Sequence, residues 1–139
     1  MQTKPFRLFL MTLMLGLATP MFAWAASPAE VAAQARDQWA KARVAYMASI
    51  KPHATDPLVA QYTTALDKAG KSLDNFLALK TASPAPQATA LTPAVDQLVK
   101  DLAALRLLQG KAKGSLATAL GTALTQHNLV TQTALKNMR

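Results

Sequence analysis

The side chain with the widest chemical repertoire in this sequence is histidine, which occurs at positions 53 and 127. His127 falls in an apolar helical stripe, one turn before Thr131, where an imidazole could ligate haem or a metal inside a helical bundle. Such sites need convergent ligands, and no second histidine or acid falls on another stripe. Met47, a conceivable second haem ligand, falls at a different level. We expect a neutral core histidine bonded to a hydroxyl or carbonyl, with a cofactor-carrying bundle as the alternative.

The acidic residues offer little general acid-base chemistry. Three of them precede a lysine by four residues, the favoured spacing for surface ion pairs on a helix. These pairs are Asp37 with Lys41, Asp67 with Lys71, and Asp96 with Lys100. Glu30 and Asp56 fall where helices are predicted to begin, so we assign them to the caps. Asp74 and Asp101 lie outside the predicted apolar stripes, and we expect them on solvated faces.

The sequence also gives no support for nucleophilic catalysis or for a phosphate-binding site. The serines have no histidine at helical spacing and no glycine-framed elbow. Residues 110–115 (Gly-Lys-Ala-Lys-Gly-Ser) lack the spacing of a phosphate-binding loop and follow a helix rather than a strand. We also expect His53 to be an exposed loop residue without a role. The sequence therefore predicts a protein that is not an enzyme and holds no metal or cofactor.

A binding surface is predicted near the end of the third helix. Leu107 and Leu108 lie off the inner stripe of that helix, so its last turns are apolar nearly all round and need a cover. The basic residues Arg106, Lys111 and Lys113 lie beside them. We therefore predict that these five residues bind another envelope protein or a second copy of the chain, as an adaptor, a chaperone-like subunit or an inhibitor or immunity protein.

The net charge of +8 provides an alternative function. The positive residues are spread along the chain, without the dense basic runs and interleaved aromatics of nucleic-acid-binding proteins. Nucleic acid is therefore not an expected partner. An excess of positive charge on an exported protein would still favour anionic envelope polymers, and this remains the alternative to a protein partner.

These residues require a scaffold of helices. The first predicted helix begins at the cap Ser27 with Pro28 and Glu30 in its first turn, and it runs to about Lys51. Its inner stripe is Ala32, Ala35, Trp39, Ala42, Tyr46 and Ile50. The second helix begins at the cap Asp56 and ends near Thr81. Its stripe is Leu58, Tyr62, Leu66, Ala69, Leu73 and Phe76.

The linker of residues 81–91 leads to the second half of the chain. A third helix is predicted from the cap Thr92, with Pro93 in its first turn, and it should be the shortest. Its stripe is Leu91, Val95, Leu98, Leu102 and Leu105. Gly110 and Gly114 indicate a turn, after which Ser115 could cap a fourth helix. Its stripe is Leu116, Leu120, Leu124, His127, Thr131, Ala134 and Met138.

Together these patterns predict an all-α protein, an antiparallel up-down-up-down four-helix bundle that follows an N-terminal signal peptide. The alternative fold has three helices, the last of them a single long C-terminal helix, because the apolar stripe continues in phase through Gln109 and Ala112. Residues 26–139 are long enough for one domain with a single core.

The N-terminus is typical of an export signal. Lys4 and Arg7 precede an uncharged run from Leu8 to Leu17, and Ala23-Trp24-Ala25 fits the cleavage rule for small residues. We therefore predict that residues 1–25 are a signal peptide cleaved after Ala25. The alternative, an uncleaved anchor, needs about 20 mostly apolar residues, whereas Pro20 and two threonines interrupt this stretch. The mature protein is expected in the periplasm or, alternatively, secreted.

The absence of cysteine limits the chemistry of an exported domain. It excludes disulfides, thiolate metal sites and thioether-linked haem. Packing alone must then stabilise the helices.

Overall fold

The computed structural model describes residues 27–82 and 88–138. These residues form four α-helices and a short 3₁₀ helix, with no strand among them, so the predicted all-α class is confirmed. The elements are α1 (Pro28–Ser49), the 3₁₀ helix η1 (Lys51–His53), α2 (Pro57–Thr81), α3 (Ala88–Lys111) and α4 (Gly114–Asn137). The three-helix alternative is wrong, because α3 and α4 are separate. The predicted signal peptide, residues 1–25, lies outside the described residues.

The first two helices begin at the predicted caps. The Ser27 hydroxyl accepts a hydrogen bond from the Glu30 N–H at 3.2 Å, with Pro28 in the first turn. The Asp56 carboxylate accepts one from the Leu58 N–H at 2.9 Å. Each cap satisfies a backbone N–H that has no partner inside its helix.

The third helix begins earlier than predicted. It starts at Ala88, and the Thr92 hydroxyl donates to the Ala88 carbonyl at 3.0 Å instead of capping the helix. Pro93 lies inside the helix. Pro93 has no N–H to donate to the carbonyl four residues earlier, so α3 lacks one backbone hydrogen bond near its start. With 24 residues α3 is longer than α1, which has 22, so the prediction that it is the shortest helix is wrong.

The predicted turn between the last two helices is present, a few residues later than Gly110. Gly110 remains inside α3, and the helical conformation is interrupted at residues 112 and 113. Gly114 then has a φ of +61°, a left-handed conformation that glycine adopts at little cost. Lys113 occupies the cap position of α4 without a side-chain hydrogen bond. The predicted cap Ser115 lies inside α4.

All four helices contribute to one apolar core. Every predicted stripe residue of the first and fourth helices is buried, and of the second helix only Leu58 is half-buried. Further buried residues of these three helices are Val31, Val59, Leu77 and Ala123. The helical periodicity of the sequence therefore identified most of this core.

The inner face of α3 differs from the prediction. Its buried residues are Ala94, Leu98, Asp101 and Leu105. Of the predicted stripe only Leu98 and Leu105 are buried; the remaining members, Leu91, Val95 and Leu102, are half-buried at its edges. The centre of the stripe therefore runs through Asp101.

The helices pack unevenly. α2 packs most extensively against α3, and α1 against α4, while the α1–α2 and α3–α4 contacts are smaller. The Tyr62 hydroxyl donates to the Leu120 carbonyl at 3.4 Å and so connects α2 with α4 across the core. Within the described ranges, no helix is both long and apolar enough to cross a membrane.

Candidate functional site

The outward face of α3 carries apolar side chains on successive turns. Val99, Ala103 and Leu107 are spaced by four residues, which places them on one face of the helix. All three are exposed, Leu107 by 72% and Val99 by 54%. The predicted residue Leu107 is therefore part of a longer apolar strip, which extends back to Val99, a residue that the sequence analysis did not include.

The exposed charges around this strip are mainly positive, and the exposed acid Asp96 lies at its start, one turn before Val99. Lys100, Arg106, Lys111 and Lys113 are exposed, and Asp101, the one acidic residue between positions 97 and 115, is buried. We call the strip and these cations the outer α3 surface; its members are Val99, Lys100, Ala103, Arg106, Leu107, Lys111 and Lys113.

Leu108 has a different environment from Leu107. It is half-buried and packs against the core cluster. Of the two leucines that were predicted to bind a partner, the structure thus presents Leu107 to solvent and uses Leu108 partly for packing.

His127 lies in the core, as its position on the apolar stripe predicted. It is fully buried, and its Nδ1 lies 2.7 Å from the Ala123 carbonyl oxygen. Because a carbonyl can only accept, Nδ1 donates this hydrogen bond. The predicted contact of a core histidine with a carbonyl is therefore confirmed. Its Nε2 is buried without a hydrogen-bond partner within the described residues.

The surroundings of His127 favour the neutral imidazole. Burial lowers the pKa of His127, the hydrogen bond to Ala123 opposes that change, and Arg43 lowers the pKa further. The ring meets Trp39 edge to face, with centroids 4.5 Å apart. In residues 27–82 and 88–138 no group of three or more histidine or acidic side chains could hold a metal ion.

His53 has a partner that the sequence did not predict. It is half-buried, and its Nε2 lies 3.2 Å from the Ser115 hydroxyl. This contact connects η1 with the first turn of α4, so His53 is not the idle loop residue that was expected.

Asp101 is the main correction among the polar residues, because it is only 4% exposed rather than solvated. Its carboxylate accepts hydrogen bonds from the Ser72 hydroxyl and from Gln97 Nε2, the latter at 2.9 Å. Lys68 Nζ lies 3.8 Å away. These contacts link α2 to α3 and satisfy a carboxylate that would otherwise be costly to bury.

A signal for Asp101 was present in the sequence. Leu98 and Leu105 lie three residues before it and four after it, the spacing of one helical face. Ala94 extends the same face by one turn. Assigning the stripe by leucine and valine alone shifted it to Leu102 and left Asp101 outside.

A second candidate site is the open groove between α1 and α2, with a volume of about 470 Å³. Trp39, Ala40 and Gly70 line its middle, and Leu73 and Leu77 line one end. We call it the Trp39 groove. A Cβ built on Gly70 would lie 2.9 Å from the indole nitrogen of Trp39, so glycine lets the indole approach α2 closely.

Two ion pairs cross this groove, one on each side of Trp39. Arg36 Nε lies 2.6 Å from Asp74 Oδ1, and Arg43 Nε lies 2.9 Å from Asp67 Oδ1. Asp74 is exposed, as predicted. Asp67 and Asp74 are therefore both ion-paired with arginines of α1.

The pairing of Asp67 leaves Lys71 free of an acidic partner in the described part of the chain. The predicted Asp67–Lys71 pair is wrong, and the predicted Asp96–Lys100 pair is likewise not formed. The Asp37–Lys41 pair is confirmed at 2.9 Å. Contacts between helices thus displaced one pair that helical spacing alone would favour.

Comparison of the chain with protein-family models, curated proteins and solved structures finds no match.

Proposed function

We propose that this chain is a non-catalytic exported protein that binds another envelope protein through the outer α3 surface. The observation that carries the proposal is the 72% exposure of Leu107 on the same helical face as Val99. Exposed apolar residues on successive turns, bordered by charges, are typical of surfaces that receive a partner.

The charges specify the chemistry of the partner. Lys100, Arg106, Lys111 and Lys113 are exposed along the apolar strip, whereas Asp101 is buried and Asp96 is exposed only at the start of the strip. A complementary partner presents an apolar stripe flanked by acidic residues, and an amphipathic acidic helix has this arrangement. Opposite charge would speed the encounter and select this partner over basic ones.

The scaffold in this proposal is an antiparallel up-down-up-down bundle. The ion pairs support this order, because Arg36 pairs with Asp74 whereas the later Arg43 pairs with the earlier Asp67. Such a bundle holds α3 between two neighbours and leaves its remaining face outward.

Export is the second part of the proposal. A cleaved signal over residues 1–25 is supported by Lys4, Arg7, the apolar run and the Ala23-Trp24-Ala25 site. N-terminal sequencing of the protein recovered from the periplasm or the culture medium should give Ala26 as the first residue. Recovery of the intact chain from the membrane fraction would instead identify an anchor.

The binding test compares three forms of the C-terminally tagged full chain expressed in its own cell: the natural protein, Leu107→Asp and Leu129→Asp. Leu129 is a matched control, because it is 64% exposed on α4 among the exposed polar residues Gln126 and Gln132. Captured proteins are washed at low and then high salt and identified by mass spectrometry.

We expect one acidic partner to survive the high-salt wash with the natural protein and with Leu129→Asp, and to be lost with Leu107→Asp. Retention of the same partner by Leu107→Asp, with circular dichroism equal to that of the natural protein, would show the surface to be wrong. Release of all bound material at moderate salt, with glycan in the eluate, would instead indicate an anionic envelope polymer.

A further inference from the structure

The Trp39 groove contains a hydrogen-bond donor, the indole N–H, that has no acceptor among the described residues. Trp39 is 9% exposed, and none of the hydrogen bonds within the described residues involves its indole N–H. Among those residues, His127 Nε2 is the fully enclosed side-chain polar atom that lacks a partner. The indole nitrogen lies against Gly70 of α2, at the groove that Trp39 and Gly70 line.

The groove has the dimensions of a ligand site. Its volume of about 470 Å³ lies within the roughly 300–1,000 Å³ range of small-molecule pockets. The Arg36–Asp74 and Arg43–Asp67 pairs bound it. Positions 36 and 43 lie about 10 Å apart along α1 at 1.5 Å per residue. A ligand between the ion pairs would therefore be short.

The charge of the groove is unbalanced. Its lining contains the cations Arg36, Arg43 and Lys71 but only two acids, both paired with arginine. Lys71 has no acidic partner in the described ranges and stands next to Gly70 in the chain. One anionic group would complete the pairing of charges at this site.

We propose that the Trp39 groove binds a small amphipathic organic monoanion, an acyl or aryl carboxylate. Lys71 supplies the positive charge for the carboxylate, and the indole N–H of Trp39 supplies a donor that has no acceptor within residues 27–82 and 88–138. The apolar body lies along the exposed Ala40 and the indole of Trp39. This site is on α1 and α2, so it is independent of the outer α3 surface and can be present whether or not that surface binds a protein.

Trp39 provides a direct readout. The chain has two tryptophans, Trp24 and Trp39, so the full-length Trp24→Phe chain reports on Trp39 alone. We would titrate this protein with octanoate, with octylammonium as the tail-matched cation, and with acetate as the anion without a tail. The expected result is a saturable change in fluorescence with octanoate, and none over the same concentrations with the other two compounds.

Variants separate binding from general adsorption. Lys71→Gln should weaken octanoate binding about fivefold, the effect of one partly exposed ion pair worth about 1 kcal/mol. Lys51→Gln, which removes an exposed lysine outside the groove, is the matched control and should not change the affinity. Both lysines are exposed, so neither variant is expected to unfold the protein.

The proposal is overturned by any of three results. These are the absence of a saturable response to octanoate, an equal response to octylammonium, and an unchanged affinity in Lys71→Gln. An equal response would mean that only the apolar lining binds, and an unchanged affinity would remove Lys71 from the site.

Discussion

The imidazole of His127 meets the indole of Trp39 with the ring planes 76° apart. This contact joins α4 to α1, and the nitrogen edge of the same indole lies against Gly70 of α2. One side chain thus connects three helices. On one side Trp39 contacts a titratable core residue, and on the other it lines an open groove.

Burial of His127 makes stability depend on pH. Its pKa in the folded protein lies below the unfolded value of 6.5, so the unfolded chain binds more protons as the pH falls. The contribution of neutral His127 to the free energy of unfolding is fully present above pH 6.5. It is lost as the pH falls from there toward the pKa of His127 in the folded protein. His127→Phe, which cannot take up this proton, should lose less stability than the natural protein between about pH 7.5 and 5.5.

Urea unfolding at a series of pH values would measure this difference. His53→Gln is the control, because His53 lies in η1 outside the core cluster. It should retain the pH dependence that His127→Phe lacks. Parallel pH profiles for the natural protein and His127→Phe would mean that His127 accepts a proton in the folded state as readily as in the unfolded chain.

Asp101 should be important for stability, in contrast with the exposed acid of the same helix. Asp101→Ala removes the acceptor of Ser72 and Gln97, so we expect a loss of about 2–3 kcal/mol. Asp96→Ala, at an exposed position on α3, should change stability by less than about 0.5 kcal/mol. The free energy of unfolding from urea titration is the measurement. Equal effects of the two substitutions would show that the contacts of Asp101 do not contribute to the free energy of unfolding.

The left-handed conformation of Gly114 gives a third prediction. Gly114→Ala places a Cβ at φ +61° and should cost about 1–2 kcal/mol. Nothing lies within 4 Å of the added Cβ, so the cost is conformational rather than steric. Gly114→Asn should cost less, because asparagine tolerates this region. Urea midpoints test the order; an alanine variant as stable as the natural protein would contradict it.

The sequence predicted those parts of the fold that depend on local signals. Caps with a side-chain acceptor, as at Ser27 and Asp56, fixed two helix starts, and regular apolar spacing identified the core faces of α1 and α4. α3 was misplaced at its start because Thr92 and Pro93 form a good cap motif. The additional turn from Ala88 has no comparable local signal.

The candidate sites depended on contacts between helices, which sequence periodicity does not contain. The Asp67–Lys71 spacing is correct for a pair, yet Arg43 of another helix takes the acid. Asp101 is buried because Ser72 of α2 faces it. Gly70, a poor helix former in mid-helix, was a visible sign of close approach, but the sequence did not specify Trp39 as the neighbour.

Gly70 and Gly110 provide the last prediction, because their replacement by alanine should change stability in opposite directions. At Gly110 an added Cβ meets nothing within 4 Å, so Gly110→Ala should stabilise the protein by about 0.5–1 kcal/mol through helix propensity. At Gly70 the Cβ lies 2.9 Å from the Trp39 nitrogen, and the resulting strain of about 1–3 kcal/mol should exceed that gain. Gly70→Ala should also change the fluorescence of Trp39, since the indole must move. Urea unfolding followed by fluorescence measures both effects, and a stabilised Gly70→Ala variant with unchanged fluorescence would contradict the close approach of α1 and α2.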